Sequence, residues 1–269
     1  MAERSGQFDA RRMPGFGATA GFAFVLLYAP LAVLVAYSFN AGSSVALWEG
    51  WSLRWYAAAL ANDAAQDAAL RSLWLALLAS VGATACAVLA ALATARGRAF
   101  RGRTAIYSLI NLPLIVPEIV TGVALLIVFA TIKVATGYQG LLYLIAAHTA
   151  FCIPFAYLPI RACLQSMDPM LERAAADLYA TPLRTFRHVT LPLIAPGILA
   201  GATLAFVISL DDVVISEFVK SAGQETLPTY LLGQVRRGLT PEMNALSTML
   251  LALSVAAVSV SFFLTRKTS

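Results

Sequence analysis

The chain is predicted to be an all-α integral membrane protein with six transmembrane helices. Three observations carry that prediction. Of the 269 residues, 59% are hydrophobic and only 12% charged, where soluble domains hold about 25% charged residues. Six apolar runs are each long enough to cross a bilayer core, which takes roughly 20 helical residues. Arginine and lysine also fall unevenly between alternate loops. Such a chain has more apolar surface than one aqueous core can hide, so lipid must cover much of it.

The candidate spans are Phe16–Phe39, Ala69–Thr94, Thr104–Ile132, Gly140–Cys163, Leu191–Val219 and Met243–Thr265. The first follows Arg11 and Arg12 but is too long for an ordinary signal-peptide core. No small-residue cleavage site follows it, so it reads as a retained signal anchor. Between the first two spans, Asn40–Ala68 contains WEGWSLRWYAAALAND, whose aromatics suit a membrane interface and a short surface helix. Prolines punctuate the third span at Pro113 and Pro117, and the fourth at Pro154 and Pro159. Broken helices are tolerated in membranes where a neighbour or a cavity satisfies the freed carbonyls.

With the N-terminus inside, the cytoplasmic side holds Arg4, Arg11, Arg12, Arg96, Arg98, Arg101, Arg103, Arg161, Arg173, Arg184, Arg187, Arg266 and Lys267. Arg54, Arg71, Lys133, Lys220, Arg236 and Arg237 fall outside. The loop RGRAFRGR makes the bias strongest, and both termini are expected to be cytoplasmic. The net charge of +5 is accounted for by this bias and calls for no nucleic acid. Cys86, Cys152 and Cys163 lie in or beside apolar runs without metal-ligand spacing and read as small hydrophobes.

A charged passage wedged between two long apolar runs, LERAAADLYATPLRTFRHVTLP (Leu171–Pro192), looks built to be gripped by another protein. Asp168–Pro169 and Thr181–Pro182 are helix-start signals, so two short helices are expected. Leu171, Ala174, Ala175 and Leu178 share one face of the first; Leu183, Phe186 and Val189 share a side of the second. Two readings stand: a helix pair docking in a protein groove, or a loop packing only on its own bundle.

Four carboxylates fall within predicted spans: Glu118 in the third, and Asp211, Asp212 and Glu217 in the outer part of the fifth. Intramembrane acids are expensive and usually face a cavity or a partner. Asp211 and Asp212 stand about 100° apart on a helix, so both need not face one pore. They line a cation route, cap a helix break, or pair with Lys220, Arg236 or Arg237. Tyr143, Tyr157 and Phe218 are candidates for cation–π contacts with a passing ammonium. His148 reads as a hydrogen-bonded structural residue in preference to a proton relay.

The Leu171–Pro192 segment resembles the EAA motif of binding-protein-dependent ABC permeases: Glu-Ala-Ala, three residues, Gly, nine residues, then Ile-x-Leu-Pro. Arg173, Ala174 and Ala175 occupy the EAA positions, beside Glu172 and followed by Asp177. Tyr179 stands at the Gly, and Val189-Thr190-Leu191-Pro192 closes the motif. Gly there permits a left-handed turn; Tyr costs roughly 1 kcal/mol or forces another turn. SLDDVVISEFV (209–219) and LPTYLLGQVRRGLTPEMNALSTMLL (227–251) are similar to the second permease subunit of spermidine/putrescine importers.

The resemblance implies a type I ABC importer permease in the bacterial cytoplasmic membrane. It divides the chain into an anchor and outer connector (1–68), a permease domain (69–265) with a coupling loop (164–190), and a short tail (266–269). The implied partners are an ATPase dimer docked on Glu172, Arg173, Ala174, Ala175, Asp177, Tyr179, Val189, Leu191 and Pro192, a second permease, and an extracytoplasmic binding protein. ATP and Mg are used by the partner ATPase, and this chain binds no cofactor. Accordingly it has no Gly-x4-Gly-Lys-Ser/Thr; its lysines are Lys133, Lys220 and Lys267. The implied cargo is a polyamine, putrescine or spermidine, with Glu118, Asp211, Asp212 and Glu217 along its path. Asp212→Asn is then expected to lower transport without lowering assembly. Alternatives are another cargo (iron(III), thiamine, aminoethylphosphonate), or a self-sufficient carrier or channel that works without an ATPase.

Overall fold

The computed structural model describes residues 15–97 and 101–266. Arg4, Arg11, Arg12, Arg98 and Lys267, used above for orientation, lie outside them. Twelve α-helices are described, of which six stretches are long and apolar enough to cross a membrane: Phe16–Tyr37, Asp63–Arg96, Glu118–Thr136, Leu142–Ser166, Pro182–Asp211 and Pro241–Arg266. The described residues fall into two compact units. One comprises the described part of Met1–Ala61 with Gly238–Met249, the other Asn62–Arg237 with the described part of Leu250–Ser269.

In the first unit, α1 (Phe16–Tyr37) is apolar on every side and buries none of its residues. Its 22 residues reach about 33 Å, the thickness of a bilayer core. After it the chain folds around Asn40, which is fully buried. The Asn40 amide donates to the carbonyls of Leu47 (2.6 Å) and Ser44 (3.2 Å), and its Oδ1 accepts from Glu49 N (2.8 Å) and Gly42 N (3.2 Å). Trp48 and Trp51 meet edge to face with ring centroids 4.9 Å apart. The predicted surface helix is α2 (Arg54–Ala61).

In the second unit, α3 (Asp63–Ala91) opens on an Asn62 cap whose side chain accepts from Ala65 N. Ala65, Ala68, Ser72, Ala76, Ala79, Ala83, Ala87 and Ala91 form a buried stripe of small residues. Small residues let membrane helices approach closely, and α3 packs against α6 (Leu142–Ser166) and α9 (Leu191–Asp211). Gly201 of α9 crosses α6 so tightly that a Cβ there would lie 2.6 Å from the Ala156 carbonyl oxygen. Backbone cannot yield as a side-chain tip does. Gly201→Val is expected to destabilise the subunit by about 3 kcal/mol, seen as lost monodisperse protein in detergent. Gly233→Val, with nothing within 4 Å of its added Cβ, is the control that should be recovered normally.

Two predicted spans are corrected. Thr104–Ile132 is two helices, α4 (Arg103–Ile115) and α5 (Glu118–Thr136). Pro117 disfavours the helical region for the residue before it, and Val116 is extended, with φ −79° and ψ 134°. Leu191–Val219 likewise ends early, at Asp211, before a separate short helix α10 (Val214–Val219). The chain closes with α11 (Leu227–Arg237) and α12 (Pro241–Arg266).

Candidate functional site

The break after α9 builds the first feature. Asp212 turns extended, with φ −67° and ψ 130°. Its side chain then caps α10: Oδ1 accepts from Ile215 N (3.2 Å) and Oδ2 from Ser216 N (2.8 Å). Oδ2 also lies 3.4 Å from His148 Nε2. That ring sits between two hydroxyls, Nδ1 at 2.8 Å from Ser209 Oγ and Nε2 at 3.0 Å from Ser216 Oγ. His148 and Asp212 are both buried, so the knot is satisfied internally, as buried polar groups must be.

Asp211, one residue earlier, is exposed. It opens onto a cavity of about 490 Å³ walled by Glu118, Asp211, Asp212, Phe151, Phe155, Val207 and Ile208. Glu118 is the first residue of α5 and lines the same cavity as Asp212. The structure therefore brings three of the four predicted acids to one wall, in two roles: Asp212 is committed to the α10 cap, while Asp211 is presented to the cavity. The fourth, Glu217, is ion-paired to Lys220 at 2.8 Å and does not line the cavity. Lys220 thus pairs with Glu217 and, at 4.0 Å, Glu225, not with Asp211 or Asp212.

The predicted aromatics lie elsewhere. Tyr157 is fully buried and bonded to Thr94 Oγ1 at 2.8 Å. Tyr143 lies beneath Lys133, whose Nζ is 5.3 Å from the ring centroid. Phe218 packs on Gly122, where an added Cβ would meet its ring at 2.8 Å. The rings that do wall the cavity are Phe151 and Phe155, centroids 5.6 Å apart. Their four-residue spacing puts them on one helix face, but nothing in sequence marks that face as lining a cavity. An apolar wall studded with carboxylates suits a cation with apolar methylenes.

The second feature is the polar loop. Its first helix, α7 (Met170–Asp177), opens where Asp168 Oδ1 accepts from Met170 N at 2.9 Å. It closes with Ala180 N donating to Ala175 O (3.0 Å) and Tyr179 N to Ala176 O (2.9 Å). That pairing is a Schellman turn, whose C′ residue must be left-handed. Tyr179 is that residue, with φ 59°, the sole non-glycine at positive φ among the described residues. The motif's glycine geometry is thus kept by a tyrosine, and the strain is accepted.

The second expected short helix is not separate. Thr181 caps α8 (Pro182–Thr185), which runs through a widened turn, Phe186–Thr190, straight into α9. Pro192 cannot donate to the His188 carbonyl and its ring crowds that turn, so the helix widens there. Val189 and Phe186 are half-buried and Leu191 and Pro192 lie within α9, whereas Arg173, Ala174 and Asp177 are exposed. Leu178 (82% exposed), Tyr179 (94%) and Leu183 (74%) form an apolar knob. Glu172 turns inward: its Oε1 accepts from Thr190 Oγ1 at 2.7 Å, and its Oε2 lies 3.4 Å from Arg96 Nε.

The chain is similar to known proteins in sequence and in fold. The putrescine transport system permease protein PotI of Escherichia coli (strain K12) is 42% identical over 231 residues, 85% of this chain and 82% of its own length. The spermidine/putrescine transport system permease protein PotC of Haemophilus influenzae is 38% identical, covering 91% of this chain and 93% of its own. PotC of Escherichia coli (strain K12) is 35% identical over 95% of both. In fold, a chain of a bacterial ABC transporter that imports the acidic polysaccharide alginate superposes with TM-score 0.71 at 15% identity, over 93% of each chain. A chain of the inward-facing MetNI methionine ABC transporter gives TM-score 0.62 at 18% identity, over 74% of this chain and 94% of that one. The family described as binding-protein-dependent transport system inner membrane component matches residues 83–267. With that match spanning more than half its length, the chain belongs to this family of inner membrane transport components.

Proposed function

We propose that this chain is a membrane-spanning permease subunit of an ATP-driven importer that translocates polyamines received from an extracytoplasmic binding protein. It works beside a second permease subunit, with a pair of ATPase subunits docked on the cytoplasmic loop 164–190 and both termini on that same side. The observation that carries the cargo is the Glu118/Asp211/Asp212 wall with Phe151 and Phe155. Carboxylates offset the hydration an ammonium loses, and the rings offer cation–π faces. The relatives named for putrescine and spermidine support the same cargo. ATP hydrolysis belongs to the partner, since this chain has no phosphate-cradling Gly-Lys-Ser/Thr loop.

The docking segment is the exposed knob with Arg173, Ala174 and Asp177 around it. Tyr179→Gly keeps the left-handed turn at no steric cost, so it is expected to change subunit stability by less than about 1 kcal/mol and to retain ATPase docking. Loss of the ATPase from the purified complex would instead assign the contact to the tyrosine ring.

The deciding experiment is uptake of labelled putrescine and spermidine by cells holding the whole transporter, with and without this subunit. Unlabelled iron, thiamine and aminoethylphosphonate serve as competitors. Uptake that needs this chain and resists those competitors supports polyamine import. An assembled complex without polyamine uptake overturns the cargo.

A further inference from the structure

The polar loop is tied to the helices behind it by one side chain with two partners. Glu172 is the residue of α7 that turns inward, accepting from Thr190 at 2.7 Å and facing Arg96 at 3.4 Å. Arg96 also donates from Nη2 to the Met167 carbonyl at 2.9 Å, at the root of the loop. The loop root, α7, the end of α3 and the start of α9 thus meet at a single Arg–Glu–Thr cluster.

Two observations give that cluster more than a packing role. An open groove of about 390 Å³, walled by Leu92, Glu172, Ala180, Pro182, Phe186 and Thr190, runs beside the loop. Apolar contact alone therefore leaves α7 room to slide, whereas a charge-assisted hydrogen bond is directional and stiff. Both partners of Glu172 also close widened turns, Leu92–Arg96 and Phe186–Thr190, a geometry frequent at functional sites. From Thr190, α9 runs 21 residues to Asp211, about 30 Å of helix. The cluster and the acid-lined cavity stand at opposite ends of one helix.

We propose that Glu172 is a positioning residue for energy coupling: through Arg96 and Thr190 it makes α7 move as one body with the near ends of α3 and α9, so that a push on the loop reaches the cavity. The proposal rests on the loop being the ATPase-docking segment. Glu172 then faces its own bundle, and the surface met by the ATPase is made by its exposed neighbours.

The test uses the whole transporter in proteoliposomes with binding protein, ATP and labelled putrescine. Glu172→Gln keeps the side-chain size and an acceptor for Thr190 while removing the charge. Putrescine imported per ATP hydrolysed is expected to fall roughly tenfold, the weight of the lost Arg96 ion pair together with the charge behind the Thr190 hydrogen bond. The exchanged pair Arg96→Glu/Glu172→Arg restores the opposite charges but neither the Thr190 nor the Met167 hydrogen bond, and is expected to recover only part of that ratio. A ratio equal to the native one in Glu172→Gln overturns the proposal.

A second readout needs no cargo. Spin labels on Met170→Cys, in α7 but outside the docking knob, and Leu193→Cys, both exposed, are placed in a chain whose Cys86, Cys152 and Cys163 are replaced. Their separation should stay narrow with and without ATP when Glu172 is present, and broaden in Glu172→Gln. Equal widths overturn the latch. Native complex that fails to import polyamine while its label distances behave as stated counts against the cargo reading alone. Co-purification of the ATPase reads docking separately.

Discussion

Asp211→Asn is expected to lower polyamine uptake at least tenfold while the assembled transporter is recovered in normal amount. Among the described residues Asp211 has no ion-pair or hydrogen-bond partner to lose, and it is exposed on the cavity wall. Removing its charge therefore spares the fold. A carboxylate and an ammonium 4 Å apart attract by about 4 kcal/mol at an effective dielectric of 20. After desolvation of both, about 1.4 kcal/mol or more should remain, which is the tenfold. The loss should appear mainly as a raised KM for putrescine, measured in cells with matched levels of the permease. Unchanged uptake at equal expression would remove Asp211 from the route.

Asp212→Ala should behave in the opposite way, with little assembled protein to assay. The substitution strips the acceptors of Ile215 N and Ser216 N and leaves His148 without its carboxylate, all inside the packed unit. Orphaned buried donors cost about 1–3 kcal/mol each, so about 3–5 kcal/mol is expected in total. Asp212→Asn keeps one acceptor and should fall between, so its effect on assembly is larger than the sequence alone implied. Detergent-purified yield and melting temperature read the outcome. Asp212→Ala at native yield, melting within about 2 °C of the parent, would refute the capping role and return Asp212 to the cargo path.

The contrast between these neighbours marks where sequence reasoning ends. Two adjacent aspartates near an apolar run signal an expensive, purposeful placement. Which one holds a helix and which faces space depends on where α9 stops. Pro117 announced the break before Glu118 because proline acts on its own neighbour. No proline marks the break at Asp212; it is made by a side chain capping the next helix while its second oxygen lies near His148, 64 positions away in the chain. The same holds for Phe151 and Phe155, whose apolar character is legible but whose exposure to a cavity is a matter of what packs opposite.

Local chemistry by itself determined the membrane as solvent, the number of crossing helices and the Asp168 and Thr181 helix starts. At position 179 the motif's glycine implied a left-handed turn while tyrosine left another turn open, and the structure shows φ 59° at Tyr179. These depend on hydrophobic length, backbone sterics and hydrogen bonds between near neighbours, all written within a few residues. The tertiary structure decided the rest: the Glu118–Asp211–Asp212 wall, the buried His148 knot, Glu217 diverted to Lys220, and Glu172 turned inward to Arg96 and Thr190. Each joins groups from helices distant in sequence, and a side chain's partner there is set by how helices cross.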